Sequence, residues 1–160
     1  MKTHRSFPCL LGLFVAFAQT QPVLAAEAVI RLEIISTTKV TAMRLLDDPR
    51  MVSDPAAMLA GIESLKNRRD AEVVATPSLR GKLPFRTKTE GKVFVEVDVG
   101  GSLDKLVYLN IAVEVGKPKQ AARFVTAVDA KLGVPKFLGT LEPLDPADRE
   151  RTWLVFLHVQ

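Results

Sequence analysis

The chain has 160 residues, of which 48% are hydrophobic, so it has room for one domain with one hydrophobic core. Its formal net charge of +4 at pH 7 is too small to indicate nucleic-acid binding. One cysteine and two histidines argue against a disulfide-stapled fold and against a closed Cys/His zinc site.

The first 26 residues have the organisation of a secretory signal peptide. Lys2 and Arg5 give a positive start, residues 9–18 (CLLGLFVAFA) form an apolar core, and small residues follow it. The alternative, an uncleaved membrane anchor, would need about 20 mostly apolar residues, and this run is shorter. We therefore predict cleavage after Ala25 or Ala26.

Cleavage would leave a single strand-rich exported domain over residues 27–160, located in the periplasm or associated with the outer membrane. The cysteine, Cys9, leaves with the signal peptide, so the remaining domain has no disulfide. Its stability must then come from the burial of apolar surface. No later apolar run approaches the length of a membrane-spanning helix.

The first half of this domain predicts one strand and one helix. Apolar residues alternate over residues 28–37 (AVIRLEIIST), which favours a strand, whereas residues 40–46 suit either a short strand or a helical turn. Asp54 can cap the first turn of a helix that Pro55 opens. The predicted buried face of that helix consists of Met58, Leu59, Ile62 and Leu65.

The second half is dominated by predicted strands. Its clearest pattern is a hairpin of residues 92–99 and 106–115, with alternating apolar residues on one face and a turn at residues 100–102 (GGS). A short strand is predicted at 71–75, and a loop or an irregular sheet edge at 79–89. Both faces of residues 151–159 are apolar, which is typical of a central strand covered on both sides.

Residues 122–130 and 134–141 are predicted to be strands that pair with each other, with a helix over 120–132 as the alternative. Together the elements predict a mainly β (α+β) fold, as an antiparallel sheet or sandwich with one or two packed helices. We expect the valine face of the hairpin to turn inward in this domain. In a membrane barrel the same face would meet lipid.

The sequence offers few residues suited to catalysis. His158 is the single histidine after residue 26, and a structural role in the last strand is far commoner than that of a base. Glu96, Asp98 and Glu114 lie on polar strand faces; they could form a paired-carboxylate site, but a solvated sheet face is the simpler interpretation. We predict no enzyme activity, no metal and no cofactor, with a small hydrolase as the alternative.

Basic side chains are concentrated between residues 66 and 92. They could bind an anionic partner, such as lipid headgroups or an acidic protein. The alternative is that Lys and Arg protect an exposed sheet edge from pairing with another chain. The candidate patch consists of Arg68, Arg69, Arg80, Lys82, Arg86, Lys88 and Lys92.

From Ala71 onward the order of elements resembles the conserved domain of bacterial secretins, the outer-membrane rings of type II and type III secretion systems. The segment AEVVATPSLRG is similar to the strand, Pro step and Gly-bearing segment that begin that domain, and KVFVEVDVG and LVYLNIAVEV occupy the places of its two long strands. GVPKFLGTLEP and ERTWLVFLHV are similar to its Gly/Pro-bearing strand and its final apolar strand. The upstream segment VIRLEIIST resembles the strand that opens the family's domain.

The resemblance implies a non-enzymatic, secretin-like envelope protein that acts through protein–protein contacts in protein secretion. It implies no catalytic or ligand-binding residues. Small periplasmic modules precede this domain in secretins and none fits ahead of residue 29, so we expect an assembly partner of a secretion apparatus. The alternative is a soluble periplasmic binding module unrelated to secretion. The expected partner is an envelope protein rather than nucleic acid, with membrane contact through an outer-membrane assembly.

Overall fold

The structure is a computed structural model that describes residues 27–89, 91, 93–103, 105–116 and 121–160. The predicted signal peptide, with its cleavage site, and Lys92 of the basic patch lie outside the described residues. The described elements are, in order, β1 (Glu27–Thr38), α1 (Lys39–Leu46), α2 (Arg50–Ser53), α3 (Pro55–Lys66), β2 (Glu72–Ala75), β3 (Ser78–Lys82), β4 (Phe85–Thr89), β5 (Val93–Leu103), β6 (Leu106–Val115), β7 (Ala122–Lys131), β8 (Lys136–Leu141), a 3-10 turn (Pro146–Asp148) and β9 (Arg151–Val159).

The strands form two antiparallel sheets. The first sheet has the order β2-β1-β9-β8, and β3 pairs with β1 as well, further along the same edge as β2. The second sheet has the order β4-β5-β6-β7. The fold is therefore mainly β and antiparallel, as predicted. Of the two predicted forms it is the sandwich, and the ambiguous segment 40–46 belongs to helix α1.

The main core lies between the two sheets. Alternate residues of the β5–β6 hairpin point into it, and Val97 and Ile111 have no accessible surface. They belong to the same buried cluster as Leu32 of β1 and Val155 of β9. The predicted inward face of the hairpin is confirmed for all six of its residues: Val93, Val95, Val97, Leu109, Ile111 and Val113.

A second core lies on the other face of the first sheet. Strand β9 pairs with β1 on one side and with β8 on the other, so it is the central strand that was predicted. Its residues Leu154 and Phe156 face the helices, together with Ile35 of β1. Because both faces of this sheet are covered, β1 and β9 are apolar on both faces.

Helix α3 begins as predicted, because the Asp54 carboxylate accepts a hydrogen bond from the Ala56 backbone N–H. Met58, Ile62 and Leu65 are buried against the sheet. The prediction for Leu59 is wrong, since this side chain is 44% exposed. One residue after Met58, it lies about 100° further around the helix and away from the sheet. Within the described ranges, no helix is long and apolar enough to cross a membrane.

The turn of the hairpin lies further along the chain than predicted. Residues 100–102 continue β5, with a shift of register between Val99 and Gly101. Gly101 has a φ of 153°, a conformation that L side chains rarely adopt. The glycines therefore serve a bulge within the strand rather than the turn, and β5 continues to Leu103, which pairs with Leu106.

The predicted pairing of the strands now named β7 and β8 is wrong. β7 pairs with β6 in the second sheet, and β8 pairs with β9 in the first. Residues 132–135 carry the chain from one sheet to the other. Each strand has one apolar face, which either sheet could bury, so alternation alone did not select the partner. The alternative of a helix over this segment is also wrong, since residues 122–131 are a strand.

The segment predicted as a loop or an irregular edge forms two edge strands. β3 pairs with β1 in the first sheet and β4 pairs with β5 in the second. The chain changes sheets at Leu83-Pro84, whose peptide bond is cis. Of the two predicted alternatives, the sheet edge is the correct one.

Candidate functional site

A cleft of about 560 Å³ lies where β7 and β8 diverge into different sheets. Its walls come from four strands, and they combine hydroxyl, amide, carboxylate and ammonium groups with apolar side chains. The lining includes Tyr108 and Asn110 of β6, Thr126 and Asp129 of β7, and Lys136 and Phe137 of β8. We call the side of the sandwich between β7 and β8 the open side.

An apolar groove of about 420 Å³ adjoins this cleft, because Asp129, Lys136 and Phe137 line both. The groove lies between the start of the helical layer and the turn that joins β7 to β8. Val52 of α2 lines it and is 80% exposed. Apolar residues that also line the groove are Met58, Leu106, Val134 and Pro135.

The rim of the groove is positively charged. Lys136 Nζ donates a hydrogen bond to the backbone carbonyl of Asp129 at 2.8 Å. Lys131 is exposed beside it. Within the described part of the chain neither lysine forms an ion pair. The rim therefore favours a ligand that places carboxylates beside an apolar group.

Strand β7 is an edge strand over its full length, since β6 is its single strand neighbour among the described residues. Val125 on its outer face is 66% exposed. Phe124 and Val128, which face the other sheet, are half-buried, whereas Ala122 and Ala130 at the two ends are buried. The middle of β7 is therefore incompletely covered on its inner face.

The candidate basic patch is divided among several elements. Arg68 and Arg69 follow α3, Arg80 and Lys82 lie on β3, and Arg86 and Lys88 lie on β4. Arg68 Nε donates to Asp70 at 2.8 Å, and Arg80 lies 3.5 Å from Glu27. Because β3 and β4 are edge strands, four of these cations lie where charge hinders pairing with another chain.

The three acidic residues weighed for catalysis lie on the outer face of the second sheet. Glu96 accepts a hydrogen bond from Arg86 Nε at 2.8 Å. Asp98 lies opposite Asn110, and Glu114 lies opposite Phe94 on one side and Arg123 on the other. Glu96 and Asp98 line a pocket of about 200 Å³ together with Arg86 and Arg123, so cations neighbour both carboxylates.

A buried polar cluster lies under the end of α3, on the helical face of the first sheet. Glu33 is only 4% exposed, and its carboxylate lies 3.0 Å from Lys66 Nζ and 3.2 Å from an Arg31 nitrogen. His158 lies directly opposite Arg31 in the β1–β9 register. Its Nε2 is buried without a hydrogen-bond partner.

Burial lowers the pKa of His158, and the charges of Arg31 and Lys66 lower it further against the opposing effect of Glu33. The unfolded chain therefore binds a proton more readily than the folded protein, so stability falls as the pH drops below about 6.5, the ordinary pKa of histidine.

We expect the free energy of unfolding of the parent protein to decrease between about pH 7 and pH 5 more steeply than that of His158→Gln. Urea unfolding at several pH values in this range measures the difference. Parallel curves for the two proteins would contradict a perturbed His158.

No pattern in the sequence predicted the cleft or the groove. Val52 and Leu106 each lie at the end of an element, where periodicity assigns no face. One signal in the sequence could have indicated the open side, namely the mixed charge of β7, which carries Asp129 between Arg123 and Lys131. The edge strands β3 and β4 differ from β7, because their charged residues are all basic.

Within the described residues, no group of three or more His, Cys, Asp or Glu side chains is arranged to hold a metal ion. Comparisons with family models, with curated proteins and with solved structures find no match to this chain.

Proposed function

We propose that this chain is a non-enzymatic, secretin-like protein of the cell envelope that acts through protein–protein contacts. The proposal includes its export to the periplasm or the outer membrane. The observation that carries it is the apolar groove of the open side, with Val52 exposed above it. Pockets that accept an apolar side chain and exclude water are where most of the binding energy of a protein interface arises.

The charge of the groove specifies the kind of segment it would accept. Lys131 and Lys136 line it, and Asp129 is the one carboxylate among the described residues that line it. A partner segment with a large apolar side chain next to Asp or Glu would fill the groove and pair with the lysines. Such rim charges contribute to association rate and specificity more than to affinity.

Substitution of Val52 tests this function. The side chain is exposed, so Val52→Asp should leave the fold intact while it puts a charge into the groove. We expect an envelope protein captured by the parent to be lost from Val52→Asp. The measurement is affinity capture from envelope extracts, with partners identified and quantified by mass spectrometry.

Leu144→Asp is the matched control, because Leu144 is also an exposed aliphatic residue, at 59%, and lies outside the groove. It should capture the same partner as the parent. Equal capture by all three proteins, or loss from the control as well, would show that the groove is not the contact site. Far-UV circular dichroism of the variants confirms that each is folded.

The cleft supports a second candidate, a periplasmic binding module for a small molecule. Its volume of about 560 Å³ lies within the range of about 300–1,000 Å³ that is common for ligand sites. Native mass spectrometry of the purified protein distinguishes the two candidates, because a small-molecule site would show a retained ligand of discrete mass that Val52→Asp does not remove.

A further inference from the structure

We propose that strand β7 is a self-pairing edge, through which two copies of this chain join antiparallel about a two-fold axis at Thr126. This inference rests on the sequence and edge position of β7 and not on the apolar groove. The β7 dimer and the partner contact at the groove can therefore be tested independently.

The sequence of β7 is complementary to itself in one antiparallel register. Where Thr126 meets its own copy, Arg123 lies opposite Asp129 of the second copy, and Asp129 lies opposite Arg123. On the same outer face Val125 meets Ala127, and on the inner face Phe124 meets Val128. Opposite charges and apolar residues in directly opposed positions are the pairs that stabilise antiparallel sheets.

The neighbouring registers lack this match. A relative shift of one residue between the two strands would oppose odd-numbered residues, whose backbone groups face the free edge, to even-numbered residues, whose groups face β6. Registers therefore change in steps of two residues, which move the axis by one residue. In the step that centres the axis on Ala127, Arg123 would face Lys131 and Val125 would face Asp129. In the step that centres it on Val125, Arg123 would face Ala127. Charge complementarity thus selects the axis at Thr126.

The outward backbone groups of β7 pair with no other strand among the described residues, and the contacts made there come from side chains. Lys136, which lies on β8 and not on β6, donates to the carbonyl of Asp129 at 2.8 Å. Thr126 Oγ1 donates to the carbonyl of Ala127 at 3.5 Å. These contacts indicate that the odd-numbered residues of β7 direct their backbone groups away from β6, toward the unpaired edge. In the proposed register those residues exchange hydrogen bonds with the second copy.

The other edges of the described sheets suit self-pairing poorly. β4 carries Arg86 and Lys88, and β3 carries Arg80 and Lys82, so each would oppose cations to cations. β2 has four residues, and β8 has six with an irregular register at Gly139. β7 has ten residues and charges of both signs. Pairing of β7 with β7 of a second copy would join the β4-β5-β6-β7 sheets of the two copies into one continuous sheet. Because both copies use the same surface, the arrangement is isologous and ends at a dimer.

Charge reversal tests the register. Arg123→Asp opposes two carboxylates at each end of the contact, and Asp129→Arg opposes two guanidinium groups. Each should weaken self-association of the purified protein about tenfold or more, measured by sedimentation equilibrium. Because Glu114 of β6 lies opposite position 123, the exchange is made in a Glu114→Gln background. There the double variant Arg123→Asp/Asp129→Arg restores both pairs and should recover the association of the Glu114→Gln protein. Arg69→Glu is the control, because Arg69 is exposed after α3 and lies neither on β7 nor in the groove, so this charge reversal should not change association.

A cross-link tests the axis independently of charge. Opposed residues that do not exchange hydrogen bonds have Cα atoms about 4.5 Å apart, within the range that a disulfide spans. In a Cys9→Ser background, Thr126→Cys should form a disulfide-linked dimer on mild oxidation. Val128→Cys, on the same face of the same strand, should not, because it would face Phe124.

The outcomes separate this proposal from its alternatives. A parent protein that sediments as a monomer up to high micromolar concentration would overturn it, as would a double charge variant that stays weaker than the Glu114→Gln protein. Equal cross-linking of Thr126→Cys and Val128→Cys would also overturn the register. Loss of partner capture from Val52→Asp with intact self-association would support the proposed function and leave this dimer in place.

Discussion

Ile111→Asp is expected to lower the free energy of unfolding by about 4 kcal/mol or more, because it places an unpaired charge between the two sheets. Ile111 has no accessible surface and lies opposite Val97 on β5 and Thr126 on β7. Among the described residues, no buried Lys or Arg is available to pair with a carboxylate at position 111. Urea unfolding followed by circular dichroism measures the loss.

Asn110→Lys is the matched control for this change. Asn110 precedes Ile111, so its side chain lies on the exposed face of the same strand, opposite Asp98. A charge there should change stability by no more than about 0.5 kcal/mol. Similar losses for the two variants would show that the valine face of the hairpin is not buried between the sheets.

Ile62→Ala is expected to cost about 2–5 kcal/mol, since Ile62 is 1% exposed in the core between α3 and the first sheet. Removal of a buried aliphatic side chain loses its transfer free energy and leaves a cavity. Leu59→Ala on the same helix should cost far less, because Leu59 is already largely exposed. Thermal and urea unfolding of the two variants together measure the difference.

The reverse order, with Leu59→Ala more damaging than Ile62→Ala, would mean that α3 turns a different face toward the sheet. It would restore Leu59 to the position that helical periodicity alone assigned to it. The pair therefore tests the orientation of the helical layer rather than its existence.

Local patterns in this sequence predict the secondary-structure elements better than they predict which strands pair with each other. The alternation of β5 and β6 sets both the strands and their buried face, because each pair of neighbouring residues must lie on opposite sides of the sheet. The cap formed by Asp54 and Pro55 fixes the start of α3 for a similarly local reason. The strands that β7 and β8 pair with depend instead on which sheet buries their apolar faces. This is a tertiary effect that the local sequence pattern does not determine.

The glycines at positions 100 and 101 show that local composition is also an incomplete guide to where a hairpin turns. Residues 100–102 have the composition of a hairpin turn, yet they form a bulge in β5, because the strands continue to pair beyond them as far as Leu103 and Leu106. The candidate site was missed for a related reason. The cleft and the groove arise where two sheets and the helical layer meet, so their lining residues are distant in sequence and share no spacing.

We propose, as the central claim, that two copies of this chain pair along β7 on the open side. Amide hydrogen exchange of β7, measured at low and high protein concentration, tests it most directly. At high concentration we expect slower exchange at Arg123, Val125, Ala127 and Asp129, with no change on edge strand β4. Exchange on β7 that is fast at every concentration would contradict the claim.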